Sequence, residues 1–221
     1  MLPLRDVNPT RHFPLMTVIL IAINVLVFIY ELLLGPQLEG FVQSWAIIPY
    51  EITHGVDLPP ASIQPIYLTL ITAMFLHGGF VHIAGNMLFL WIFGNNIEDA
   101  MGSLRFLVFY LLCGLAAAFA QIAVGPNSEI PNIGASGAIA GVLGAYLLLF
   151  PRAEVQTLVF LGFFVRLVRV PALLFLGLWF VLQLFSGVAG LGMEAMGGVA
   201  WFAHIGGFIA GLVLINLFRR R

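Results

Sequence analysis

The chain has 221 residues, of which 61% are hydrophobic and only 9% are charged, and its mean hydropathy is +1.06. A water-soluble domain usually has about 25% charged residues, so this composition excludes a fully water-facing surface and predicts a protein that lies in lipid. The net charge of −1 gives no indication of nucleic-acid binding, and the single cysteine, Cys113, excludes an internal disulfide.

Six apolar stretches approach the length of about 20 residues that a helix needs to cross a membrane. They predict an all-α integral membrane protein, a six-helix bundle that forms one domain over residues 1–221. In chain order the predicted spans are about 14–34, 82–100, 104–124, 135–150, 171–188 and 199–218. The first is too long for a typical signal peptide and no small-x-small cleavage site follows it, so we interpret it as a retained span.

Two apolar regions lie outside these spans. The long loop 35–81 contains apolar stretches too short to cross a membrane, and it is divided into short pieces by Pro49, Pro59, Pro60 and Pro65. We expect it to form helices that lie in the outer interface. The run 158–168 contains an arginine and is expected at the cytoplasmic surface.

All nine basic residues are arginines, and a six-span topology places them on one side of the membrane. They are Arg5, Arg11, Arg105, Arg152, Arg166, Arg169, Arg219, Arg220 and Arg221. Positively charged loops mark the cytoplasmic side, so we expect both termini to be cytoplasmic. The compact form favours the plasma (inner) membrane of a bacterium.

The fourth predicted span is short and rich in small residues. Its roughly 16 residues give about 24 Å of helix, against about 30 Å of hydrocarbon. Glycine and alanine let neighbouring helices approach closely, which predicts a central helix shielded by the others. Its first turn would then lie below the outer surface, beside a polar cavity that opens outward.

Four polar residues are expected in one layer of the outer half of the membrane. Ser136 begins the short helix, and His82 and Asn86 are four residues apart on one face of the second span. His204 lies about 8–9 Å into the sixth span. Each residue alone is compatible with helix packing, but four at one depth favour a functional site.

These residue types are suited to nucleophilic hydrolysis. A serine hydroxyl needs a base within hydrogen-bond reach, so Ser136 is the candidate nucleophile and His204 the candidate general base. The backbone N–H of Ser136 lies at a helix N-terminus and, with Asn86 and His82, could stabilise an oxyanion. The sequence places no acid in the membrane near His204, which predicts a dyad rather than a triad.

Two other interpretations compete with hydrolysis. His77, His82 and His204 could bind zinc, although the His-Glu-x-x-His pattern of many zinc proteases is absent. A transporter or channel would need ionisable groups deep along a path, and the inner halves of these spans have almost none. Under the hydrolytic interpretation we expect no metal and no cofactor.

Three motifs in order resemble the rhomboid family of intramembrane serine proteases. They are His77-Gly-Gly-Phe-Val-His82-Ile-Ala-Gly-Asn86, Gly134-Ala-Ser136-Gly-Ala and Ala203-His204-Ile-Gly-Gly207, and Glu98-x-x-x-Gly102 is also similar. The resemblance implies that Ser136 and His204 cleave transmembrane segments of other membrane proteins near the outer face, without a cofactor. It also implies an oxyanion hole of His82, Asn86 and the Ser136 amide.

Two positions depart from the pattern of some family members. Ala46 follows Trp45 where they have arginine, and Ala140 replaces an aromatic residue that stacks on the base. The sequence therefore names no residue that orients His204, and it does not indicate an oligomeric state.

A membrane-spanning substrate must enter from the side, and we expect a gate between the second and fifth spans. Phe175, Trp179 and Phe180 are bulky enough to close it, and the glycine-rich loop 187–198 could move. The alternative is that these aromatic residues simply face lipid.

Overall fold

The computed structural model describes residues 1–162, 164–191 and 199–220, and most of these are helical. In chain order the helices are α1 (Leu15–Leu33), α2 (Leu38–Trp45), α3 (Pro49–His54), α4 (Thr69–Thr72), α5 (Phe80–Met101), α6 (Ser103–Val124), α7 (Ser136–Leu149), α8 (Ala172–Ala189) and α9 (Trp201–Phe218). Within the described residues, α1, α5, α6, α8 and α9 are long and apolar enough to cross a membrane. The apolar α7 is shorter, with 14 residues.

Helix α7 packs against α5, α6, α8 and α9. Every residue from Gly137 to Tyr146 is buried. This burial follows from composition, because the small side chains of α7 let four neighbours approach its backbone.

Glycines bring α7 and α9 into backbone contact. A Cβ atom on Gly207 would collide with the carbonyl of Gly137, and one on Gly211 would collide with Gly141. The small residues of α9 therefore form the surface that packs on α7.

A buried carboxylate joins the ends of three helices. Glu98, near the end of α5, accepts hydrogen bonds from the backbone N–H groups of Met16 and Thr17 at 2.8 Å and from the Thr17 hydroxyl. The Ser103 hydroxyl at the start of α6 donates to it at 2.6 Å. These bonds satisfy N–H groups in the first turn of α1 that have no partner within the helix.

The long loop between α1 and α5 supports the segment that leads into α7. Ile47 and Asn132 exchange two backbone hydrogen bonds, of 3.1 and 2.8 Å, and the Gly134 N–H donates to the carbonyl of Ala73. Backbone polar groups on both sides are thereby paired, so this irregular segment can lie within the protein.

The prediction of an all-α fold was incomplete. Strands β1 (Leu2–Asp6), β2 (Glu154–Leu161) and β3 (Phe164–Pro171) form an antiparallel sheet in the order β1-β2-β3. The apolar run 158–168 therefore belongs to a β-hairpin, which its many valines favour. Local sequence could not reveal the pairing of β1 with β2, because the two strands lie far apart in the chain.

Candidate active site

The structure brings the predicted nucleophile and base together. Ser136 is the first residue of α7 and His204 is the fourth residue of α9. Ser136 Oγ and His204 Nε2 are 2.7 Å apart. The two helices approach each other closely at Gly137, which follows Ser136, and at Gly207, one turn after His204. This close approach permits the short distance between the two side chains.

A residue that the sequence analysis missed holds the other side of the His204 ring. Gln183 Oε1, on α8, lies 2.7 Å from His204 Nδ1, and the Gln183 side chain is buried. A signal was present, because an amide in an otherwise apolar span usually hydrogen-bonds a neighbouring helix. The sequence did not indicate which helix that would be.

The side chains of His82 and Ser136 both lie close to Gly134. A Cβ atom on Gly134 would be 2.8 Å from His82 Nε2 and 3.7 Å from Ser136 Oγ. Gly134 also has a φ of +122°, which side chains rarely allow. His82 Nδ1 accepts a 3.3 Å hydrogen bond from the Gly78 N–H, so its Nε2 edge faces Gly134.

Asn86 is buried on α5 with an unused donor. Among the described residues, no partner lies within hydrogen-bond reach of its Nδ2. Leaving such a donor unpaired costs about 1–3 kcal/mol. A group with this cost is suited to bind an acceptor that arrives from outside the protein.

A cavity adjoins Ser136 on the side of α6 and α9. Its lining includes Met74, Ala117, Gln121, Gly137 and Ala203. Gln121 Oε1 accepts a 3.2 Å hydrogen bond from the Ala203 N–H, which also donates to the carbonyl of Ala200 at 3.1 Å.

Comparison with known proteins gives the family. A family model described as the Rhomboid domain matches residues 65–221. The chain belongs to the rhomboid family. With its five long apolar helices, it is an integral multi-pass membrane protein.

Several curated relatives support this rhomboid assignment. The mitochondrial Rhomboid protein 1 of Saccharomyces cerevisiae is 27% identical over 201 residues, 88% of this chain and 50% of that protein. Rhomboid protease GluP of Bacillus subtilis is 34% identical over 61% of this chain and 24% of its own length. RHOMBOID-like protein 5 of Arabidopsis thaliana is 33% identical over 66% of this chain and 42% of its own length. The chain thus spans half or less of the length of these relatives.

The three predicted gate residues of this rhomboid all pack inward. Phe175 is buried, with its ring centroid 6.3 Å from those of Phe89 and Phe93 on α5. The Trp179 ring lies 6.0 Å from the His204 ring. Phe180 stacks on Phe208 of α9 at 4.4 Å. The loop predicted to move lies partly outside the described residues, because 192–198 are not described.

The zinc interpretation requires free ring nitrogens on His77, His82 and His204. Both nitrogens of His204 are already engaged, by Ser136 and Gln183. No three His, Cys, Asp or Glu side chains in the described part of the chain are placed to share a metal ion.

Proposed function

We propose that this rhomboid is an intramembrane serine endopeptidase that cleaves transmembrane segments of other membrane proteins. Ser136 is the nucleophile and His204 is the general base. The 2.7 Å hydrogen bond between Ser136 Oγ and His204 Nε2 carries the proposal, because it joins two separate helices at the start of α7. The Bacillus subtilis relative is named a rhomboid protease, which supports the same reaction class.

The reaction follows from this geometry. His204 Nε2 takes the hydroxyl proton while Ser136 Oγ attacks the carbonyl carbon of the scissile peptide bond. His204 then gives that proton to the leaving amine, and an acyl-enzyme remains on Ser136. Water, with His204 again as base, hydrolyses the ester and restores both residues.

Three donors are suited to stabilise the oxyanion of the tetrahedral intermediate. The Ser136 N–H lies at the N-terminus of α7, where the helix dipole favours negative charge. The unpaired Asn86 Nδ2 and the His82 ring edge at Gly134 are the other two. Donors that are fixed before the reaction need no reorganisation when charge develops.

We propose that α7 is the short central helix of a six-span bundle, in one membrane domain with predicted spans near 14–34, 82–100, 104–124, 135–150, 171–188 and 199–218. Its 14 residues correspond to about 21 Å, less than the hydrocarbon thickness. Ser136 then lies below the extracytoplasmic surface, where cleavage would occur. The arginine distribution favours cytoplasmic termini, and the compact form of the chain favours the plasma membrane of a bacterium.

Substrates would enter between α5 and α8. Phe175 supports this gate because its ring reaches from α8 to the Phe89 and Phe93 rings of α5. Trp179 and Phe180 follow on the same helix, beside His204 and Phe208. Separation of α8 from α5 would open a lateral path from lipid to Ser136.

The test is labelling with a serine-directed fluorophosphonate, followed by mass mapping and a cleavage assay with a transmembrane reporter in liposomes. We expect the label on Ser136, with labelling and cleavage lost in Ser136→Ala and His204→Ala. Ser44→Ala and His54→Ala are matched controls, because these residues lie in α2 and α3. Reporter cleavage by the Ser136→Ala variant would refute the dyad and favour zinc, as would loss of wild-type cleavage when a chelator is added.

A further inference from the structure

The neutral form of an imidazole carries one hydrogen, on either Nδ1 or Nε2. Only the form with hydrogen on Nδ1 leaves Nε2 free to accept the Ser136 proton. With no partner at Nδ1, the ring could adopt either form and rotate away from Ser136. His204 therefore needs an acceptor at Nδ1 to serve as the base in the proposed reaction.

We propose that Gln183 is the positioning residue that fixes the His204 tautomer and ring orientation. This inference rests on the proposed function. An amide oxygen can only accept a hydrogen bond, so Gln183 Oε1 at 2.7 Å requires the hydrogen of His204 on Nδ1. Nε2 then presents its lone pair to the Ser136 hydroxyl, also at 2.7 Å. An amide orients the imidazole in the Cys-His-Asn proteases in the same way.

Among the residues that the structure describes, Gln183 is the side chain that hydrogen-bonds His204 Nδ1. Among the described residues, no Asp or Glu side chain hydrogen-bonds His204, and the titratable side chain that acts on it is His82 of α5. Ala140, four residues after Ser136, has no ring to stack on the base. Trp179 and Trp201 lie 6.0 and 6.1 Å away and confine the ring without specifying its tautomer.

The position of Gln183 on α8 explains how it reaches the base. Phe175, Trp179 and Gln183 are four residues apart, so they lie on one face of the helix. Trp179, one turn before Gln183 on this face, has its ring centroid 6.0 Å from that of His204. Gln183 is buried in an apolar helix, where an unpaired amide would be unfavourable.

The first measurement is steady-state cleavage by Gln183→Leu and Gln183→Glu. Loss of the group that orients a metal-binding histidine typically costs about 10–100-fold, and by analogy we expect Gln183→Leu to lower kcat by this factor with little change in KM. Gln183→Glu retains an acceptor and should recover most of kcat. Its carboxylate favours the protonated ring, so the acidic limb of its kcat–pH profile should move to higher pH.

The second measurement is the ¹⁵N chemical shifts of the His204 ring, which report the tautomer without requiring activity. Wild type should show hydrogen on Nδ1, and Gln183→Asn, with its shorter side chain, should show a mixture. Gln156→Leu is the matched control, because it removes a buried amide that accepts from Arg5 in the sheet. It should leave kcat and the His204 shifts unchanged.

Unchanged kcat in Gln183→Leu would overturn the inference, as would hydrogen on Nε2 in wild type. Equal losses in the Leu and Glu variants without a pH shift would reduce Gln183 to a packing role. If Gln183→Leu does not fold, the Glu and Asn variants decide the matter. Failure of the proposed function is distinct, since wild type would then neither cleave the reporter nor take the phosphonate.

Discussion

Replacement of Gly207 by alanine would separate the two helices that carry Ser136 and His204. The added Cβ would collide with the carbonyl of Gly137, a backbone group that no rotamer change can move. Contact between carbon and a carbonyl oxygen needs about 3.3 Å or more, so α7 and α9 must move apart by roughly 1 Å. The bond from Ser136 Oγ to His204 Nε2, now 2.7 Å, would then exceed hydrogen-bond length.

The expected effect on catalysis is large and the effect on stability is small. A displacement of about 1 Å can lower kcat by about 10²-fold. Overpacking costs about 1–3 kcal/mol, and exchange of glycine for alanine within a helix returns about 1 kcal/mol. The free energy of unfolding should therefore fall by about 0–2 kcal/mol.

The assays are reporter cleavage in liposomes and thermal unfolding in detergent. Gly177→Ala is the matched control, because a Cβ atom on Gly177 of α8 would meet no atom within 4 Å. It should retain wild-type kcat. Wild-type kcat in Gly207→Ala would refute the reasoning, since the dyad would then tolerate separation of its helices.

Three further predictions concern pH, the buried carboxylate and the gate. Burial raises the pKa of Asp6, so the folded state favours the protonated, neutral carboxyl. The contribution of Asp6 to the free energy of unfolding is therefore complete below the unfolded-state pKa and is lost as pH rises through the folded-state pKa. The melting temperature of Asp6→Asn should exceed that of wild type by a margin that grows above about pH 4, and a constant margin would contradict this. Glu98→Ala should lower the free energy of unfolding by about 3 kcal/mol, because several donors lose their acceptor; calorimetric stability equal to wild type would show that they find other partners. Phe175→Ala should raise the rate of reporter cleavage severalfold by loosening the gate. Phe185→Ala is the control and should leave the rate unchanged, because Phe185 is exposed. Unchanged rates in both Phe175→Ala and Trp179→Ala would mean that the gate lies elsewhere.

The sequence contained enough to predict a membrane protein and to select Ser136 and His204. Low charge and long apolar runs are properties of the local chain, and they decide whether a segment enters lipid. The small residues of α7 likewise predicted close packing before any contact was known. The small motifs around the polar residues pointed to the family.

Local sequence could not indicate which partners these side chains meet. Gln183 and His204 are 21 residues apart, and Ser136 and His204 are 68 apart, so their contacts depend on how each helix is rotated about its axis. The pairing of β1 with β2, with Arg5 bonded to Gln156, depends in the same way on the assembled bundle.

Composition by itself determined that this chain enters a membrane, and spacing predicted which polar residues share one depth, because both depend on the local order of residues along the chain. Only the tertiary structure decided that an amide on α8 faces the His204 ring and that a sheet joins the N-terminus to the hairpin before α8. A hydrogen bond tolerates changes of only a few tenths of an ångström in the distance between donor and acceptor. Between residues of separate helices, that distance is fixed only when the helices pack together.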